Sequence, residues 1–216
     1  MPTTVLLDLD GTLTDSAPGI YAGAAYALKA LGRPTEPGDL PAAIIGPPIY
    51  ECFREILGLS DADARRGISL YREYYGEKGL FENIVYDGIP ALLSALKEKG
   101  YRLALATGKP WPYAERILAH FGLDVYFDAV FGAEFDGTRG KKADLIAYAL
   151  DTLGITPGDA LMIGDRRFDV EGALAVGVTP LGVLWGYGDR EELSAAGATL
   201  LAATPREALD IIVSLG

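Results

Sequence analysis

Only one of the 216 residues is cysteine, Cys52, and only one is histidine, His120. A lone cysteine makes no intrachain disulfide and no cysteine metal cluster. In YECFREIL, Cys52 reads as a small apolar helix residue; a tyrosine-phosphatase loop would also need Arg six positions on, where Gly58 stands. His120 lies on a helical pattern, WPYAERILAHFG, with no GxSxG nearby, which leaves Ser-His-Asp hydrolysis without a base. No stretch reaches the roughly 18 apolar residues of a membrane span. The N-terminal apolar run is short, has no basic leader and is broken by Asp8, so a soluble, cytoplasmic protein is expected. Basic residues are scarce: 19 Lys and Arg against 30 Asp and Glu give a net charge of −11, which argues against nucleic acid or anionic membrane as a partner. Nucleotide-cofactor signatures fail too, since GTRGKK lacks the P-loop spacing and GYGDRE the third glycine of GxGxxG.

What the chain does have is apolar periodicity. Half of its residues are hydrophobic, enough for a packed core with a modest insertion. After a first strand, VLLDLD, three helical patterns follow without a strand between them: IYAGAAYALKALG, IYECFREILG and ARRGISLYREYYGEKG. From Tyr86 strands and helices alternate, through YRLALA, DAVFG, ALMIG, VTPLGVLW and a short strand near ATLLA, to a closing helix PREALDIIVSLG. Alternation of this kind predicts an α/β fold, a doubly wound parallel sheet with helices on both faces. Residues 1–15 and 82–216 form the expected core, and residues 16–81 an inserted all-helical cap.

In such sheets ligands bind beyond the carboxyl ends of the strands, where strand order reverses. The first strand ends in Asp8 and Asp10, YRLALA in Thr107, Gly108 and Lys109, and ALMIG in Asp165, with Asp169 one turn further on; Lys142 starts the helix between. Carboxylates gathered this closely need a cation among them. Mg²⁺ suits oxygen ligands and substrate phosphate, with Asp8, Asp10 and Asp165 as ligands. One aspartate can attack phosphorus while a second shuttles the proton, and Thr107 and Lys142 can hold the phosphoryl oxygens.

On these residues the chain resembles the haloacid dehalogenase superfamily, in particular its phosphatases with a helical cap inserted after the first strand. The resemblance implies Asp8 in DLDGT as nucleophile and Asp10 as acid/base, Thr107 in ATGK as the phosphate hydroxyl, Lys142 in KKADLI as the phosphate lysine with Lys141 adjacent, and Asp165 with Asp169 in GDRRFD at the metal. Gly108 stands where relatives often carry Asn or Ser, so its backbone N–H is the expected phosphate contact. Asp10 counts against dehalogenation and Thr12 against sugar phosphomutation. Similarity is greatest to phosphoglycolate-phosphatase-like proteins, a group that also covers nucleotidases, pyrophosphatases and phosphotyrosine-type activities. The implied function is Mg²⁺-dependent hydrolysis of small phosphomonoesters through a phosphoaspartate. The cap is expected to close over the site, with Gly46 and Arg54 in IIGPPIYECFRE meeting the leaving group, and Lys109 from the core reaching either the phosphate or the leaving group. The run around Arg72, Tyr74 and Tyr75 reads as packing.

Overall fold

The computed structural model describes residues 2–215. It comprises two compact units, Met1–Thr14 with Val85–Gly216, and Asp15–Ile84. The sequence reading drew the passages between them after residue 15 and before residue 82; in the structure they run through two short paired strands, β2 (Thr14–Asp15) and β3 (Ile84–Val85).

The first unit is built on a six-stranded parallel sheet of β1 (Thr4–Leu7), β4 (Arg102–Pro110), β5 (Ala129–Ala133), β6 (Ala160–Gly164), β7 (Thr179–Val183) and β8 (Leu200–Ala202). Their spatial order is β5-β4-β1-β6-β7-β8, so the sheet grows outward from β1 in one direction and then in the other. The reversal puts the carboxyl end of β1 between those of β4 and β6. β1 is wholly buried, with Leu7 level with Leu105 on one side and Ile163 on the other. Both faces of such a strand are covered, which is why TVLL carries no solvent-facing polar alternation.

Helices α4 (Ile89–Glu98), α5 (Trp111–His120), α6 (Lys142–Leu153), α7 (Arg167–Ala175), α8 (Arg190–Ala195) and α9 (Pro205–Ser214) complete this unit. Leu145, Ile146 and Ala149 of α6 pack on Leu6, Ala104, Ala106 and Met162. Alternation along β1 places Leu6 on the face toward α6. Lys142, the first residue of α6, thereby comes to the end of β1 at Asp8.

The second unit is helical: α1 (Ala17–Ala30), α2 (Ile49–Glu51), which continues as a π-helical turn at Cys52–Ile56, and α3 (Asp61–Tyr74), which continues as another at Tyr75–Gly79. Glycines let α1 and α3 approach closely, since a Cβ at Gly23 would stand 2.9 Å from the Tyr71 ring. Tyr75 is 2% exposed and stacks on Tyr71, and the Tyr74 hydroxyl donates to Glu82 at 2.8 Å, so this run is packing as expected. Cys52 is buried, its Sγ donates to Ile44 O at 3.2 Å, and burial pushes its thiol up to about 12; it is no nucleophile. No described helix is long and apolar enough to cross a membrane.

Besides the two short strands β2 and β3, one α-helix of the core escaped the sequence reading. α8 has six residues, too few to show a period, although Asp189 marks its start by accepting from the Glu192 N–H.

Gly172 on α7 faces α6, where an added Cβ would meet Lys142 Cβ at 2.7 Å. In an open helix Gly172→Ala would stabilise by roughly 0.5–1 kcal/mol. Here the overlap with Lys142 wins, and urea denaturation is expected to show a net loss of about 1–3 kcal/mol. An increase in stability would show that the two helices separate freely.

Candidate active site

Beyond Leu7 the strand ends, and the chain turns on the Leu9 carbonyl, which accepts from the N–H groups of Thr12 (3.2 Å), Leu13 (2.9 Å) and Thr14 (3.1 Å). Gly11 lies inside the turn at φ +82°, where L side chains are strained. Strand alternation therefore does not carry through to Asp10, and the turn sets where its carboxylate points.

Asp8 and Asp10 each meet an ammonium group. Lys142 Nζ donates to Asp8 Oδ1 at 2.9 Å and to Ala106 O at 3.0 Å, and lies 2.7 Å from Asp169 Oδ1. Lys109 Nζ is 3.0 Å from Asp10 Oδ2. The other oxygen of Asp10, Oδ1, is buried and has no hydrogen-bond partner. Burial acts to depress the Lys142 pKa, but Asp169 and Asp8 outweigh it and the group is held well above the ordinary lysine value. Lys142 enters the site, whereas Lys141 is exposed.

Among the described residues Asp165 has no such partner. It is fully buried at the end of β6 and accepts from neutral donors, the Thr12 hydroxyl at 3.1 Å and the Tyr187 N–H at 2.8 Å. Burial, then Asp169 and Asp8, push its carboxyl well above the usual range. Asp169 is also pushed up by burial, against the pull of Lys142. Its Oδ2 accepts from the Arg166 N–H at 3.1 Å, which fixes the turn between the two aspartates.

Asp8, Asp165 and Asp169 present ligand atoms within 4.8 Å of one another. This group can hold a metal ion. Of the four carboxylates, the two ammoniums match two, and the remaining two negative charges suit one divalent cation. Asp10 lies outside the group, its Oδ2 paired with Lys109.

The surroundings of Asp165 leave no room for side chains. A Cβ on Gly11 would lie 2.2 Å from Asp165 Oδ2, on Gly186 2.4 Å from Asp165 Cβ, and on Gly188 2.0 Å from Asp165 O. Sequence reasoning passed over these glycines. It also missed Thr12 as the Asp165 donor, Trp185, whose Nε1–H donates to Thr12 O at 3.0 Å, and Glu192, which accepts from Arg166 Nε and the Arg167 N–H, both at 2.9 Å. GYGDRE, set aside as a failed nucleotide motif, supplies the backbone donor and close approach that Asp165 uses.

Thr107 is buried where β4 leaves its regular register, and its Oγ1 accepts from the Lys109 N–H at 3.2 Å. Gly108 is exposed, and a Cβ there would meet nothing within 4 Å, so packing does not require glycine. Gly46 (φ +108°) and Arg54, whose Nη1 donates to Leu59 O at 3.2 Å, belong to the helical unit.

The model of the haloacid dehalogenase-like hydrolases matches residues 2–177. The chain belongs to this family. It is 44% identical over 215 residues to a protein of Mycobacterium tuberculosis named tyrosine-protein kinase PtkA, covering 97% of this chain and 73% of that one. It is 45% identical over 193 residues to a 5′-nucleotidase of Pseudomonas aeruginosa, covering 88% and 86%. The crystal structure of a predicted phosphatase from Clostridium acetobutylicum superposes with a TM-score of 0.93 at 43% identity, over 99% of both chains. Family and relatives together make this haloacid dehalogenase-like hydrolase a phosphatase.

The raised pKa of Asp165 has a consequence for stability. The native state keeps this proton after the unfolded chain has released it, so without metal, raising pH from about 4 upward favours unfolding through this group. Asp165→Asn removes the charge, and its amide can still accept from Tyr187 N–H while donating to the Thr12 hydroxyl. In EDTA at neutral pH the variant is expected to melt at least about 2 °C above the parent, about 1 kcal/mol in a chain of this size. It should also lose any rise in melting temperature that an added divalent cation gives the parent. A variant that melts lower in EDTA yet still responds to Mg²⁺ would contradict this electrostatic account.

Proposed function

We propose that the chain hydrolyses small phosphomonoesters through a phosphoaspartate on Asp8, with Mg²⁺ as cofactor. The observation that carries the reading is the contrast between two neighbouring carboxylates. Asp8 is held through one oxygen by Lys142, which leaves its second oxygen for attack at phosphorus. Asp10 is held through one oxygen by Lys109, while its other is buried and unpartnered, positioned to carry a proton. Asp10 first protonates the departing alkoxide and then takes a proton from the water that cleaves the acyl phosphate.

Lys142, the Thr107 hydroxyl and the Gly108 N–H are assigned to the phosphoryl oxygens, where donors fixed in advance lower the barrier most. Mg²⁺, held by Asp8 and Asp165 with Asp169 beside them, would offset charge on the transferring phosphoryl group. Glu192, acting through Arg166 and Arg167, keeps the turn bearing Asp165 and Asp169 in place.

A second reading, transfer of phosphate to a tyrosine hydroxyl, draws on the mycobacterial relative. It requires a phosphoryl donor such as ATP. Release of inorganic phosphate from p-nitrophenyl phosphate without nucleoside triphosphate separates the two.

Asp8→Asn is expected to lower kcat on this ester by about 10³-fold or more while the protein still folds. Asp10→Asn should lower it by about 10²–10⁴-fold, more for alkyl than for aryl esters, because an alkoxide needs the proton and a nitrophenolate does not. Full activity of Asp8→Asn, or equal activity with and without EDTA, would refute the mechanism.

A further inference from the structure

Beyond Thr107, β4 runs through Lys109 and Pro110 into Trp111, which opens α5 with 39% of its surface exposed. The indole is nevertheless held. Its Nε1–H donates to Glu134 Oε2 at 3.0 Å, and the other oxygen of Glu134 pairs with Arg139. Arg139 in turn lies over the Tyr148 ring at 4.5 Å. It is the one non-glycine residue with positive φ, +59°, among those described. Strained backbone of this kind persists where its surroundings impose it, often at ligand-binding positions. The EFDGTRG loop is closed by the Glu134 N–H on Thr138 O and the Gly140 N–H on Gly137 O, both at 2.9 Å. Its conformation fixes Glu134, and Glu134 fixes an indole open to solvent.

Two further observations place this indole near the phosphate end of the sheet. Gly132 is level with Thr107, and a Cβ on it would stand 2.8 Å from Trp111 Cα and 2.6 Å from Lys109 O, so glycine permits the close approach. Alongside, Tyr113 meets Phe135 edge to face at 4.9 Å, with Phe135 37% exposed. Aromatic side chains held in advance bind flat ligands at low entropic cost.

We infer that Trp111 is the stacking surface for the nucleobase of a nucleoside 5′-monophosphate whose phosphate is bound at Asp8 and Thr107. The inference rests on the phosphatase reading and adds the leaving-group class. Trp111 lies four positions after Thr107, at most about 13 Å of extended chain. A ribose between phosphate and base suits that span, whereas the ring of phosphotyrosine is bonded directly to the ester oxygen. Stacking of a neutral base also asks for no cation beyond the phosphate site, in keeping with a chain of net charge −11.

The test compares kcat/KM for adenosine 5′-monophosphate, ribose 5-phosphate and phosphotyrosine in the parent and in Trp111→Ala. The nucleotide value is expected to fall roughly 10- to 100-fold, mostly through KM, and the ribose 5-phosphate value by less than about two-fold. Binding is read separately in Asp8→Asn, where the nucleotide should quench tryptophan fluorescence, and the quenching should vanish in Asp8→Asn with Trp111→Phe, which retains Trp185. Equal losses on nucleotide and sugar phosphate, or no loss, would overturn the subsite. A loss confined to phosphotyrosine would assign the surface to a phenol and overturn the nucleobase. Absence of Asp8-dependent turnover on every ester would defeat the phosphatase reading instead, while the fluorescence titration still reports whether the base is bound.

Discussion

Four carboxylates and two ammonium groups are gathered at the end of one parallel sheet, and the rest of the site answers to that imbalance. Lys142 and Lys109 take up Asp8 and Asp10, and Asp169 shares Lys142. Asp165 is left in the interior with a hydroxyl and a backbone N–H. An isolated buried carboxylate shifts toward its neutral form. Among the described residues no third cationic side chain relieves this, and Asp8, Asp165 and Asp169 form a group that could hold a metal ion.

The fold makes the arrangement possible through backbone more than through side chains. Reversal of strand order brings three carboxyl ends together at β1. Gly11, Gly186 and Gly188 then let the main chain close around Asp165 at distances no Cβ would allow. α8 contributes through Glu192, which ties down the residues after Asp165 from outside. A carboxylate pushed toward its neutral form would drift if its surroundings were soft; here glycine contacts and a short capped helix hold it.

The sheet was legible in the sequence because each strand is an apolar run bounded by helical periods, and all six appear where that pattern places them. The acidic residues were legible for a related reason: a carboxylate ending a buried strand conflicts with its context, and such conflicts mark function. What the sequence did not reveal was how the charges are partnered. Three gathered carboxylates, Asp8, Asp10 and Asp165, suggested a metal ion among them, yet Asp8 and Asp10 have separate lysines, and the group without one is Asp165. Partners far apart in the chain, such as Thr12 and Asp165, leave no periodic trace. Nor do donors that belong to the backbone, as at Tyr187.

Under the proposed mechanism, Lys142 shows how the arrangement would favour reaction over mere binding. Its ammonium donates to the Ala106 carbonyl as well as to Asp8 and pairs with Asp169, so its direction is fixed in part by atoms outside the proposed chemistry. Because paired carboxylates hold its pKa high, it would remain charged if Asp8 were to change from carboxylate to acyl phosphate as proposed. A charge that neither moves nor titrates during the reaction costs no reorganisation, and that is the condition under which electrostatic stabilisation acts most strongly on a transition state. In the proposed mechanism Asp10 would meet a different requirement, with one oxygen anchored by Lys109 and the other buried without a hydrogen-bond partner. On that reading, two aspartates two residues apart would take different tasks because of what each lysine leaves uncovered.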